Sequence, residues 1–396
     1  MSLLNANVVD VQLEKVDSTL PVLYDKENLF YSSIEKANVE VVSNKAMRIP
    51  LDIRPGGYFG HYDPDGGDLG VGDGPYFDEA TISTVHLKHA IQWTKKAEYA
   101  TDDTRKSVIN VVRRLIATSM ADFRRGSEAL CMTAGDGVLA TISAVSASAD
   151  DTYTLASDGF GAKLLRYGQY ISLYDTTLGT KRVLDAGSVA PNESKISYYD
   201  IPTKTIKCLD FAAAVAGDKL VVSGLSATPP VRLFGVPYHQ TNSTSGGWLG
   251  FTRSSTPEIM SNRVTASGSL ALSHARLAIN KIGDRLGADK LGSLVAWCHP
   301  CQKQAYEELG QAVTMINKQG ASSNLDLYYE VPQIAGITLK TSFMWDKSRI
   351  DFISPSTWGR AEMKPVGFHE VDGRKIFELR GTPGGVAASQ VFYLTA

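Results

Sequence analysis

The chain has 396 residues, 43% of them apolar and 21% charged, ordinary values for folded proteins and too apolar for a largely disordered one. Forty basic against 42 acidic residues give a formal net charge of −2, which excludes a nucleic-acid binder built on a general basic excess. No stretch approaches the ~18 consecutive apolar residues of a membrane helix. Residues 1–10 lack the basic-then-apolar order of a secretory signal, so none is expected.

Residues 1–45 are weakly periodic, broken by Leu20-Pro21 and by Tyr31-Ser32-Ser33. They read as an extended arm with one short helix, unable to bury its own Val and Leu and therefore expected to lie on another surface. Met47, Ile49, Leu51 and Ile53 then alternate with polar residues and Pro50, the pattern of an edge strand. A second alternating run contains Val85, Leu87, His89, Ile91 and Trp93. Between the runs, residues 55–80 hold eight glycines, six acids and no Lys or Arg. The expectation is one long hairpin over 46–98, with the two runs as its strands and an acidic tip between them. An isolated two-stranded hairpin is marginal in water, so this one implies a partner surface.

A helix is predicted over 103–133. Val108, Val111, Val112, Leu115, Ile116, Met120 and Phe123 follow the i, i+3, i+4, i+7 spacing, Thr101, Asp102 and Asp103 suit its start, and Gly135 its stop. Arg113, Arg114, Arg124 and Arg125 are assigned to its other face, in the simplest reading a solvated basic one. Residues 138–228 change to short β-like runs between turn clusters, as in a small barrel or sandwich, and Pro229-Pro230 marks the exit. Beyond it, helices are expected near 273–286 and 301–318, and strands at 294–297, 337–343, 350–353, 375–380 and 391–394. The fold class is α+β.

The sharpest enzyme-like signal is Trp297-Cys298-His299-Pro300-Cys301, a C-x-x-C between a strand and a helix. In a thioredoxin-type dithiol the helix N-terminus lowers the first thiol's pKa. Tyr328 to Pro332 would stand for the loop that faces such a dithiol, but the closing helix of that fold has no candidate. The alternative is that Pro300 starts a helix and the two cysteines are small core residues. Cys131 and Cys208 are isolated, so no zinc set forms, and no cofactor is expected. Asp63, Asp65 and Asp68 lack the spacing of a calcium loop. Phosphate-loop, dinucleotide and nucleophile-elbow motifs are absent, and no enzymatic activity is expected.

The order of elements, together with several degenerate motifs, resembles the major capsid proteins of tailed bacteriophages, with the Hong Kong 97-type fold. The motifs are residues 80–100 leading into the long helix, Arg124-Arg125-Gly126-Ser127-Glu128-Ala129-Leu130 followed by Ala134-Gly135-Asp136-Gly137-Val138-Leu139-Ala140, the segment 247–257 with Trp248-Leu249-Gly250-Phe251-Thr252-Arg253-Ser254, residues 270–286, Ile334-Ala335-Gly336-Ile337, and residues 387–394. Their shared order over about 300 residues is the specific part.

The resemblance implies a structural protein of the virion that self-assembles into pentamers and hexamers of an icosahedral head around double-stranded DNA. Assembly would take place in the host cytoplasm, with DNA contact free of sequence specificity and no membrane. It divides the chain into an N-terminal arm (1–45), an extended loop (46–98), a spine helix (99–137), an inserted β-rich domain (138–228) and a peripheral and axial α+β domain (229–396). Tip residues Tyr58, Phe59, Asp63, Asp65, Asp68 and Asp73 would be assembly contacts, and Arg113, Arg114, Arg124 and Arg125 candidates to meet a neighbour's acidic tip. The tip has no lysine for the crosslink some relatives form, and the short arm implies a separate scaffolding protein. A portal protein and a decoration protein complete the implied partners. Two rival readings are an encapsulin-like compartment shell and, from another class, a thiol oxidoreductase using Cys298 and Cys301.

Overall fold

The computed structural model describes residues 29–36, 46–62, 64–66, 70–83, 85–94, 111–146, 152–156, 164–184, 192–222, 233–317, 333–334, 336–361, 367–372, 375, 377–380 and 386–395. It begins with a short helix, α1 (Leu29–Ser33), and the two-residue strand β1 (Glu35–Lys36). Strand β2 (Ala46–Arg54) pairs antiparallel with β3 (Tyr76–Ser83), matching Met47 with Ile82, Ile49 with Ala80 and Leu51 with Asp78.

The hairpin therefore returns earlier than its sequence suggests. The return strand begins inside the segment read as acidic loop, where Asp78 and Glu79 mask its alternation. Both acids are accommodated locally: Tyr76 Oη donates to Asp78 at 3.1 Å, and Arg48 Nη1 donates to Glu79 at 3.1 Å. The run expected to return, β4 (Leu87–Thr94), pairs instead with the last strand of the chain, from Leu87 opposite Thr395 to Thr94 opposite Ala388. Eight residues with Ile91 and Trp93 buried need a protected sheet, which a projecting hairpin does not provide.

The long helix α2 (Val111–Cys131) rises about 31 Å over its described length, at ~1.5 Å per residue. Its Leu115 and Met120 pack on Ile91 and Trp93 of β4. The expected start, with its caps at 101–103, lies outside the described residues. The helix ends at Cys131, and a turn through Met132 and Thr133 leads to Gly135, whose φ of +86° a glycine adopts without strain. A Cβ there would also lie 2.8 Å from Phe234 Cδ1. Gly135→Ala should destabilise the subunit by about 1–3 kcal/mol in urea unfolding, the combined result of backbone strain and a displaced ring.

Seven strands follow: β5 (Val138–Val145), β6 (Thr152–Leu155), β7 (Tyr170–Tyr174), β8 (Ser194–Lys195), β9 (Tyr198–Asp200), β10 (Thr205–Lys207) and β11 (Lys219–Val222). Their order across the sheet is β8-β7-β11-β5-β6-β10-β9. The two end strands are one continuous segment, 194–200, joined through Ile196 and Ser197. Ile196 donates its backbone N–H to Gln169 beside β7, and Ser197 to Lys207 of β10. One segment thus closes both ends of the sheet, giving a barrel with Ile171, Leu173, Ile196, Ile206 and Leu220 fully buried inside.

The remaining residues add α3 (Val236–His239), a tight β12 (Gly247–Trp248) and β13 (Phe251–Thr252) hairpin, α4 (Leu272–Leu286), β14 (Val295–Cys298), α5 (Pro300–Asn317), β15 (Gln333–Ile334), β16 (Ile337–Thr341) and β17 (Ile350–Ile353). Strands β14 to β17 make one four-stranded sheet in the order β15-β16-β14-β17. Finally β18 (Gly359–Arg360) pairs with β1 in parallel, and β19 (Gly367–Phe368), β20 (Phe377–Arg380) and β21 (Val386–Thr395) form a sheet that includes β4.

Candidate assembly surface

The hairpin is anchored at its base and projects beyond it. Ile49, Leu51, Ile53, Ala80 and Ile82 pack against Leu249 and Phe251, so the inward face of the alternation is buried by the β12–β13 hairpin. Thr81 N–H donates to Leu249 C=O at 2.8 Å, and Arg54 Nε donates to Glu258 Oε1 at 2.8 Å. Past Arg54 the neck narrows. Gly57 N–H donates to Asp73 C=O at 2.7 Å, and a Cβ on Gly56 would lie 2.5 Å from Pro75 N, so only glycine lets the two backbones approach this closely.

Every described residue from 55 to 79 is exposed. Among them Tyr58, Phe59, Tyr62 and Val71 hold large apolar surface in water, with Phe59 exposed as fully as in an open chain (104%). Asp65 and Asp73 lie on this tip, whereas Asp63 and Asp68 lie outside the described residues. The tip combines carboxylates with aromatic rings on a narrow stalk.

The arginines of α2 do not share one face. Arg124 is exposed and Arg114 half-buried, but Arg125 is only 4% exposed. Successive helix positions are about 100° apart, and here the boundary between exposed and buried faces falls between Arg124 and Arg125. Arg125 therefore belongs to the buried face of the subunit and corrects the assignment of four arginines to one basic face. The side chain of Arg113 lies outside what the structure describes.

Cys298 and Cys301 form no disulfide, and they occupy unlike environments: Cys298 ends β14 fully buried, and Cys301 is exposed in the first turn of α5. Burial pushes the Cys298 thiol up to about 12, opposite to the activation a thiol oxidoreductase needs. The proline-loop counterpart, 328–332, lies outside the described residues. An alkylating reagent at pH 8 should modify Cys301 within minutes and leave Cys298 unmodified until the fold is opened, as peptide mass mapping would read. Rapid modification of Cys298 in the folded chain would restore the dithiol reading.

The clearest polar constellation involves Glu128, a residue of the helix-end motif for which the sequence suggested no task. Its side chain is fully buried and accepts the backbone N–H of Phe30 at 3.0 Å and of Tyr31 at 2.6 Å. Arg360 Nη1 donates to Tyr31 C=O at 3.1 Å, and its guanidinium lies 4.8 Å from the Tyr31 ring centroid. The Phe30 ring is enclosed edge-on by Trp297, Trp345 and Trp358 at 5.4, 5.2 and 5.8 Å. Sequence inspection could not connect positions 30, 128, 297, 345 and 360, because only the tertiary fold brings them together. The one visible signal was an acid within the apolar end of a helix.

A second polar node lies next to this cage. Arg253, from the 247–257 motif, is 2% exposed, donates Nη2 to Tyr238 C=O at 2.8 Å and lies over the Tyr238 ring at 5.4 Å. His239 accepts from Trp248 Nε1 at Nδ1 (3.0 Å), and burial pushes its pKa down to about 4. Its pKa in the folded chain thus lies below the ~6.5 of the unfolded chain, so the unfolded chain binds more protons between these values. Stability should decline as pH falls from about 6.5 to 4. Urea midpoints across this range should show the decline, and His239→Gln should flatten it.

Among the described residues, no group of three or more His, Cys, Asp or Glu is placed to hold a metal ion, and no helix is long and apolar enough to cross a membrane. No protein-family model matches the chain, and no curated protein sequence does. Solved structures do match. A chain of the cyanophage A-1(L) capsid asymmetric unit superposes with a TM-score of 0.54 at 11% identity, covering 98% of this chain and 94% of that one. The bacteriophage PhiM1 mature capsid gives 0.44 at 9% identity, covering 97% and 86%. A native GTA particle capsid gives 0.38 at 13% identity, covering 99% and 93%. Over nearly its whole length, the chain has the mixed helix-and-sheet fold of a phage capsid chain, as the cyanophage A-1(L) match shows.

Proposed function

We propose that this protein is a non-enzymatic major capsid protein of a tailed phage, assembling as hexamers and pentamers into an icosahedral head that encloses double-stranded DNA. In this reading the elements are those of the Hong Kong 97-type subunit: arm 1–45, extended loop 46–98, spine helix 99–137, inserted β-rich domain 138–228 and peripheral and axial domain 229–396. The protein resides in the virion after assembly in the host cytoplasm, with a separate scaffolding protein, a portal protein and a decoration protein as partners. The observation that carries this reading is the stalked tip, where Tyr58, Phe59 and Tyr62 stand in water on a hairpin whose base is packed down. A lone subunit gains nothing from exposed rings on a stalk, whereas a lattice buries them between copies.

The carboxylates Asp63, Asp65, Asp68 and Asp73 set the charge of this contact, and Arg114 and Arg124 are its candidate counterparts on a neighbour. Exposed pairs of this kind contribute about 0–1 kcal/mol each and weaken with salt, so they govern registry more than strength. Electron microscopy of the expressed protein, alone and with a scaffolding protein, tests the reading: closed shells or capsomer rings are expected, and a monomer under all conditions would overturn it. Neutralising Asp63, Asp65 and Asp68 together should flatten the salt dependence of assembly, read by light scattering between 50 and 500 mM NaCl.

A further inference from the structure

The seat of α1 lies where three parts of the subunit meet. Phe30 belongs to one buried cluster with Ala129 and Leu130 of the α2 end, Leu139 of the barrel, and Trp297, Trp345 and Ile353 of the four-stranded sheet and its flank. Among the groups that hold it there are one ring in a tryptophan cage, Ile34 packed on the same cluster, two N–H groups on one carboxylate, one guanidinium on Tyr31, and the two-residue pairing of Glu35 and Lys36 with Gly359 and Arg360. A five-residue helix has no stability of its own, so α1 depends on this seat.

We propose that residues 29–36 act as a detachable bolt, whose seating between Glu128, Arg360 and the three tryptophans locks the end of α2 to the four-stranded sheet. Leaving the seat strips Glu128 of two donors and uncovers the edges of three tryptophans in the same event. Both losses fall on one small segment, so the bolt moves between seated and unseated as a unit, a local opening below global unfolding. The barrel closes on its own strands and keeps its interior in either state. With the bolt out, the buried cluster shared by the helix end and the sheet loses the Phe30 ring from among the three tryptophans. The lock is a property of the single subunit and stands apart from the shell reading. In a shell, it would make the seating of the arm the event that fixes subunit shape.

Hydrogen exchange with mass spectrometry on the intact, unassembled chain tests the lock. Glu128→Gln leaves a donor where an acceptor stood, and losing a hydrogen bond to a charged group raises the unseated population about 10- to 100-fold. Amides of 29–36, 295–298 and 342–345 should exchange faster by this factor and in step with one another, in Glu128→Gln and in Phe30→Ala alike. Phe30→Leu, which keeps an apolar side chain in the cage, should give a smaller acceleration. Barrel amides at 171–173 and 219–222 should be unchanged, which also reports that each variant is folded. Acceleration confined to 29–36 would show that nothing is locked, equal acceleration in the barrel would show ordinary global destabilisation, and no acceleration would show that Glu128 does not hold the segment; each overturns the proposal. Because assembly is not part of the readout, a wild-type chain that forms no shells would count against the shell reading alone.

Discussion

Asp218→Ala should destabilise the barrel by about 3–5 kcal/mol, the range for removing one partner of a buried, hydrogen-bonded ion pair. The Asp218 carboxylate has no exposed surface and receives Arg182 through both oxygens, Nη2 on Oδ1 and Nε on Oδ2, each at 2.9 Å. Val215 N–H adds a third donor at 3.1 Å. These bonds hold the turn that feeds β11, the strand between β7 and β5. The segment carrying Arg182 is held by isolated bridges at Lys181 and Leu184 and by backbone hydrogen bonds from Arg182 to Leu173 and from Ala212 to Val183, and the ion pair adds its side-chain attachment. Alanine leaves the guanidinium beside a buried void, whereas Asp218→Asn keeps the shape and part of the bonding and should cost less. Urea unfolding followed by barrel amide exchange would measure both. A loss below about 1 kcal/mol for alanine would mean that water replaces the carboxylate and that the barrel does not depend on this pair.

Elements defined by one clean period were legible in the sequence. The spacing of Val111, Leu115 and Met120 marked α2, and the helices beginning at Leu272 and Pro300 lie within one residue of their expected starts. Strand β17 matches its expected bounds. What failed was pairing. The strength of the 87–94 alternation made it the natural mate for 46–54, yet that strength reflects burial under the C-terminal strand, almost 300 residues away in sequence. The true mate, β3, is weakly apolar because its outer face meets water and only Ala80 is deeply buried. Small strands such as β6 and β10 went unseen because they take their identity from the barrel's closure rather than from their own three or four residues. The tip was legible by composition, since glycines and acids without lysine left little else for 55–75 to be. Glu128 and Arg125 were not legible in role. Both are charged residues on the buried side of a helix, and periodicity assigns charge outward unless the fold supplies partners.

The corrected pairing bears on what the tip can be made to show. Because 87–94 belongs to another sheet, the tip can be cut back without disturbing it. Replacing residues 58–72 by Asn-Gly, a favoured two-residue turn, would join Gly57 to Asp73 where a backbone hydrogen bond of 2.7 Å already closes the neck. The packed base, from Ile49 to Ile53 against Leu249 and Phe251, stays as it is. The subunit should keep its thermal midpoint within about 2 °C, since no described residue of the removed segment is buried. Assembly should respond very differently. Tyr58, Phe59, Tyr62 and Val71 would each contribute about 1.5–3 kcal/mol if fully buried. Partial burial and the ordering of a loop leave roughly 3–4 kcal/mol per contact, equivalent to a rise of about 100- to 1,000-fold in the concentration needed for assembly. Sedimentation velocity across a concentration series would read both quantities on one sample. A shortened chain that assembles at wild-type concentrations would take the tip out of the lattice contact and leave its exposed rings without a function. One that loses both fold and assembly would show that the tip serves the subunit itself.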